Sequence, residues 1–124
     1  HGRAVTLGAF DPTGKFIATV TEDGAVHLWD AASAQETAPA RPVQGKVSIL
    51  RFDAAGERLL TISAVGFSDR SLLNVWSTPT LNPLVQLVRS GERMNQGEFS
   101  PDGRFLAAAG WSSLSTCTCT VAVS

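Results

Sequence analysis

A repeat with a period of 42 to 47 residues constrains the fold of this chain more than any other feature. In each copy an apolar run ends in phenylalanine, aspartate or serine follows directly, and glycine closes the motif; the copies lie at 10–14, 52–56 and 99–103. Asp and Ser accept backbone hydrogen bonds across tight turns, and glycine adopts positive φ where the chain re-enters a strand. Each copy therefore predicts a hairpin turn, and each repeat is interpreted as one β-sheet unit.

Further strands are predicted after each hairpin. The segments 25–30 and 72–77 are apolar runs with a tryptophan next to their last residue. The weaker segments 35–43 and 80–88 contain prolines, which are tolerated in edge strands. The repeat is therefore a unit of four antiparallel strands.

The fold class predicted from these patterns is all-β. No segment has a sustained helical period, and six prolines and eleven glycines interrupt the chain too often for long helices. Near-continuous apolar runs occur at 16–20, 58–62 and 105–109. Such runs are typical of sheets that are covered on both faces, as when sheets stack around an axis.

The 124 residues divide into two four-stranded units and an incomplete third. The predicted boundaries are about 1–44, 45–90 and 91–124, within a single segment of about two and three-quarter units.

These features resemble the WD-repeat β-propeller family. The resemblance rests on the repeat period, on Trp29-Asp30, on Asp23-Gly24 just before that strand, and on Phe-Ser-Pro-Asp-Gly at 99–103. It covers nearly the whole chain, and the looser copies are similar to divergent repeats of bacterial members. The resemblance implies a partial propeller whose blades are four antiparallel strands.

Repeats of this family often contain a buried, structural tetrad of His, Ser or Thr, Asp and Trp. The resemblance places it in the first unit at His1, Thr19, Asp23 and Trp29. An imidazole, a hydroxyl, a carboxylate and an indole N–H can satisfy one another when buried. The second and third units depart from the pattern, so apolar packing is expected to stabilise them more than a tetrad does.

Propellers typically close with about 4 to 8 blades, so this chain is expected to be a fragment of a larger one. The outer faces of the first and third units and an unpaired edge near 121–123 would be uncovered. Exposed edges and apolar faces of this kind favour self-association.

Composition bounds the partners. Ten Lys and Arg against eleven Asp and Glu give a net charge of −1, so no positive field favours nucleic acid or an anionic membrane surface. No apolar run reaches the roughly 18 residues of a membrane-spanning helix.

No cofactor and no metal site are predicted. Cys117 and Cys119 lack the further ligands that a zinc site needs, and are interpreted as part of a loop and strand start or as a reactive thiol pair. Trp111 opens a predicted irregular loop at 111–118, where it either anchors a partner or caps the core of its own unit.

The predicted function is a non-catalytic scaffold that binds a protein or peptide through loops on the face bearing Asp23. The candidate partner-binding residues are Glu22, Phe67, Asp69, Arg70, Arg93 and Trp111. Apolar residues on the inner strands favour a scaffold over a catalytic channel. The alternatives are a propeller attached to or regulating an enzyme, such as a kinase, NTPase or hydrolase, and a truncated repeat remnant.

Overall fold

The computed structural model describes residues 4–64, 70–78, 80–90, 92–112 and 116–122. Within these ranges the chain is all-β and forms three antiparallel sheets that do not close into a ring. The same ranges contain no helix that is long and apolar enough to cross a membrane.

The strands follow the repeat in order. The first sheet contains β1 (Val5–Phe10), β2 (Phe16–Thr21), β3 (Ala25–Asp30) and β4 (Arg41–Pro42). The second contains β5 (Lys46–Phe52), β6 (Arg58–Ala64), β7 (Arg70–Ser77) and β8 (Pro83–Ser90). The third contains β9 (Glu92–Phe99), β10 (Phe105–Ser112) and β11 (Thr116–Ala122). Neighbours in sequence pair antiparallel, so the predicted four-stranded unit is confirmed.

The three predicted hairpin turns are present. The N–H groups of Gly14, Gly56 and Gly103 donate to the carbonyl three residues earlier at 2.9, 3.2 and 2.9 Å. Their φ angles are 80°, 72° and 74°, a region that glycine adopts without a steric penalty. Each turn thus reverses the chain between the first two strands of its unit.

The sheets stack in sequence order, with β5 in contact with both β1 and β9. Ala18, Val20, Val26 and Leu28 of the first sheet pack against Leu59 and Trp76 of the second. The opposite face of the second sheet, including Leu60, Ile62, Leu73 and Val75, packs against Met94, Phe99, Leu106 and Ala108 of the third. Of the three sheets formed by the described residues, only the second therefore has a neighbouring sheet on both faces.

The apolar runs predict that each sheet is covered on both faces. Among the described residues this is correct for the sheet that contains 58–62, whereas the sheets that contain 16–20 and 105–109 are covered on one face only. In β10, Leu106 is 1% exposed whereas Phe105 is 45% exposed. Because side chains alternate along a strand, the residues next to the buried ones lie on an outward face.

One predicted strand and one predicted loop differ from the structure. The outer strand of the first unit is only the two residues of β4, preceded by an isolated bridge between Trp29 and Glu36. Pro39 and Pro42 supply no N–H for a longer ladder. The irregular loop predicted at 111–118 is wrong at its described positions, because Trp111 in β10 and Thr116 in β11 are paired strand residues.

Asp11 is a buried carboxylate at the first of the three turns, and it is 3% exposed. It accepts hydrogen bonds from the Thr13 N–H at 2.9 Å, the Thr13 hydroxyl at 2.6 Å and the Lys15 N–H at 3.3 Å. Burial raises the pKa of Asp11, but the hydrogen bonds from Thr13 and Lys15 hold it below its ordinary value of 3.8. The folded state therefore favours the charged form.

Asp11→Asn is expected to lower the free energy of unfolding at pH 7 by about 1 to 2 kcal/mol, since an amide cannot accept all of these hydrogen bonds. A lowered pKa gives stability that is present above pH about 4 and lost as the pH falls through the folded-state pKa. The difference between the two proteins should therefore shrink between about pH 4 and pH 2 in urea titrations. Glu57→Gln, at an exposed carboxylate, is the control; a difference that does not change with pH would contradict the assignment.

Candidate functional site

A cleft lies between the first two sheets, at the end of the stack where the β2–β3 turn meets the start of β5. Its volume is about 520 Å³. Val20, Val43 and Val47 line it and are 2%, 9% and 5% exposed. The cleft therefore has an apolar floor of short branched side chains.

Charged residues of both signs line the same cleft. Glu22 and Asp23 belong to the β2–β3 turn, Lys46 begins β5, and all three residues are exposed. Groups of this kind at the edge of an apolar floor can fix the orientation of a bound segment. An apolar floor with charges of both signs at its edge is chemically complementary to an extended segment that combines apolar and charged side chains.

Backbone contacts hold the β2–β3 turn in place. The Gly24 N–H donates to the Thr21 carbonyl at 2.9 Å, and the Val43 N–H donates to the Gly24 carbonyl at 2.8 Å. Gly24 has a φ of 83°, and a Cβ there would lie 3.1 Å from the Val43 carbonyl oxygen. Glycine thus lets the turn approach the wall of the cleft closely.

A chain of polar side chains lies behind the turn. The Thr21 hydroxyl donates to Asp23 Oδ1 at 2.5 Å, and His27 Nε2 lies 3.3 Å from the same hydroxyl. His27 Nδ1 lies 3.2 Å from Glu36 Oε2. Although hydroxyl, imidazole and carboxylate follow one another here, Thr21 is 1% exposed and its proton is directed at Asp23. Because the hydroxyl proton is used in the contact with Asp23, the chain of contacts positions the β2–β3 turn.

The structure describes three of the four residues of the predicted tetrad. Trp29 Nε1 donates to Thr19 Oγ1 at 2.9 Å, and Asp23 accepts from Thr21. His1 lies outside the described residues, so the complete tetrad stays a prediction. The second unit repeats one of these contacts, because Trp76 Nε1 donates to the Thr61 hydroxyl at 3.2 Å.

The other candidate partner-binding residues are spread over the structure. Arg70 is exposed at the first position of β7. Arg93 and Trp111 are paired residues of β9 and β10. Both were expected in loops, and neither lies in one. Phe67 and Asp69 lie outside the described residues. Among the candidates that the structure describes, Glu22 alone lines the cleft.

Sequence reasoning missed the roles of Thr21, His27 and Glu36. A usable signal was present, since Thr19, Thr21, His27 and Trp29 alternate with apolar residues along β2 and β3 and therefore share one face. In the described part of the chain, no group of three or more His, Cys, Asp or Glu residues could hold a metal ion.

Stacked antiparallel sheets joined by a turn-and-tryptophan repeat define a β-propeller type of repeat protein. The family model for the WD domain, G-beta repeat, matches residues 1–30. The chain is 33% identical over 110 residues to transducin beta-like protein 3 of Bos taurus, and 32% identical over 110 residues to that of Rattus norvegicus. The chain belongs to the WD-repeat family.

The aligned region is 89% of this chain, but the chain spans only 13% of the length of each of these relatives. WD-repeat proteins are in general non-catalytic scaffolds that mediate protein–protein interaction. Both relatives are mammalian, and the similarity to bacterial members stays a prediction.

Proposed function

We propose that this chain is part of a non-catalytic protein–protein interaction scaffold, and that the cleft beside the β2–β3 turn binds an extended segment of a partner protein. The observation that carries the proposal is the combination of a buried valine floor with charged residues of opposite sign, Glu22 and Lys46, in the same cleft.

Rigidity supports this role. The turn is held by backbone hydrogen bonds to Thr21 and Val43 and by the polar chain that ends at Glu36. A surface that is ordered before binding loses less conformational entropy when a partner docks. The cleft is therefore suited to recognition of a segment that itself becomes ordered on binding.

We also propose that the three sheets are a segment of a larger propeller. The second sheet shows how a unit of this repeat is covered on both faces, whereas the first and third each have one outward face. Phe105, on the outward face of the third sheet, is 45% exposed, and Phe10, the last residue of β1 in the first sheet, is 79% exposed. Further blades would bury such surface.

Charge reversal in the cleft is expected to weaken peptide binding. Peptides are first selected on the intact chain from a display library of random sequences, and their affinities are then measured by isothermal titration calorimetry. Glu22→Lys and Lys46→Glu should each raise the Kd of selected peptides about tenfold, which corresponds to about 1.4 kcal/mol. The loss should diminish at high salt, because exposed charges are screened.

Glu57→Lys is the matched control, since Glu57 is an exposed carboxylate in the β5–β6 turn and does not line the cleft. It changes the net charge equally and should leave the Kd unchanged. Equal effects of Glu22→Lys and Glu57→Lys, or no effect of either cleft variant, would remove the assignment of binding to this cleft.

A further inference from the structure

Buried carboxylates connect neighbouring units at the end of the stack opposite the cleft. The Asp11 carboxyl of the first unit lies directly over Gly56 of the second, where a Cβ would come within 2.6 Å of the carboxyl carbon. Asp53 of the second unit lies over Gly103 of the third, where a Cβ would be 3.0 Å from its Oδ2. The same contact thus recurs at both boundaries between units.

Each aspartate is fixed by its own turn. Asp11 is 3% exposed and Asp53 is 2% exposed. Asp53 accepts hydrogen bonds from the N–H groups of Glu57 at 2.8 Å and Arg58 at 3.1 Å. A carboxylate held in this way presents a rigid edge to the glycine of the next unit.

Within the described residues, the first unit has the glycine of this contact without an aspartate over it, and the third unit lacks the aspartate. Gly14 occupies the glycine position of the first turn with a φ of 80°, and apart from its two chain neighbours no described residue has an atom within 4 Å of a Cβ built there. At the other end, Ser100 replaces the aspartate and donates to Asp102 Oδ1 at 2.6 Å. The first unit can therefore receive an aspartate, and the third has none to offer at this position.

The sheet face beside Gly14 matches a face that is already covered elsewhere. In the second unit Leu59, Thr61 and Trp76 face the first sheet and are 0%, 0% and 6% exposed. The positions of Thr61 and Trp76 correspond to Thr19 and Trp29, which make the same hydrogen bond but are only half-buried. A unit that covers the Thr19–Trp29 face of the first sheet would therefore pack on it in the way that the first sheet packs on the Thr61–Trp76 face of the second.

We propose that the Thr19–Trp29 face of the first sheet, together with Gly14, is a docking surface for a further four-stranded unit whose turn carries aspartate at the position of Asp11 and Asp53. The inference rests on the proposed propeller segment and adds a requirement to it, because the incoming turn must supply a carboxylate to Gly14.

A second copy of this chain fits the surface less well. Its outward third sheet presents Ala107 paired with Thr120, where the corresponding pair in the first sheet is Ala18 with Leu28. Phe105 supplies one apolar side chain on that sheet. Thr120, however, stands where the first sheet has Leu28, and Ser100 stands where the first two units have aspartate. The occupant is therefore an aspartate-bearing unit.

The test places a copy of residues 46–90 ahead of the complete chain, so that its aspartate, equivalent to Asp53, can reach Gly14. Amide hydrogen exchange of β2 and β3 is followed by NMR in the extended and the original chain. Docking should slow this exchange at least about tenfold. Asp53→Ser in the added copy alone should remove most of the gain, as should Gly14→Ala.

Gly14→Ala is measured in both chains, so that the strain of its positive φ is subtracted and only the coupling to the added aspartate remains. Equal protection by the Asp and Ser versions would overturn the carboxylate requirement while leaving the propeller segment intact. Failure of both versions to protect β2 and β3 would overturn both proposals. A concentration-dependent dimer of the original chain with the same protection would identify a second copy as the occupant and overturn the inference.

Discussion

Gly56→Ala is expected to lower the free energy of unfolding by about 3 kcal/mol, measured by urea denaturation at pH 7. Two costs add at this position. The φ of 72° disfavours any residue with a Cβ, at roughly 1 to 2 kcal/mol. The new methyl group would also overlap the Asp11 carboxyl, which can move only by losing its hydrogen bonds to Thr13 and Lys15.

Gly14→Ala separates these two costs, because Gly14 has the same place in its own turn and a φ of 80° but no described atom close to a Cβ. It should cost about 1 to 2 kcal/mol, the conformational part alone. Asp11→Ser should reduce the additional cost of Gly56→Ala, since the smaller side chain leaves room for the methyl group. Equal losses for the two glycine variants would show that Asp11 moves aside freely and would contradict the expectation.

The turns were predictable because the requirements are local. Aspartate or serine at the first position and glycine at the last specify the hairpin within five residues, and all three hairpins form as expected. The contact between Asp11 and Gly56 was not predictable in the same way. It joins residues from different units and depends on how two sheets stack, which no local pattern contains.

In the candidate site, too, one contact was predictable from local spacing and another was not. The spacing of Thr19 and Trp29 predicts that they belong together, and the indole does donate to the hydroxyl. Glu36 was not anticipated because it lies between β3 and β4, in a segment expected to be part of an outer strand. Its contact with His27 depends on how that segment folds back over β3.

The prediction for the third unit was wrong at the start of its last strand. An irregular loop was expected at 111–118, whereas β11 begins at Thr116 and pairs with β10 along its length. Threonine is β-branched and suits a strand, and a paired partner strand decides the outcome more than polarity does.

Trp76→Ala is expected to cost about 3 to 5 kcal/mol of unfolding free energy, the range for removing a large buried aromatic side chain. Trp76 is 6% exposed and packs in the core between the first and second sheets. The truncation also leaves the fully buried Thr61 hydroxyl without the indole N–H that now donates to it. Thermal and urea unfolding of the variant would measure the loss.

Trp29→Ala is the matched comparison, because Trp29 makes the same hydrogen bond, to Thr19, on the outward face of the first sheet. Its side chain is only half-buried, so the truncation removes less apolar surface from contact and should cost about half as much. Trp76→Phe keeps most of the buried volume but not the N–H donor, and should cost about 1 to 2 kcal/mol. Losses of equal size for Trp76→Ala and Trp29→Ala would mean that the first sheet is covered as completely as the second, which contradicts the outward face on which the docking proposal depends.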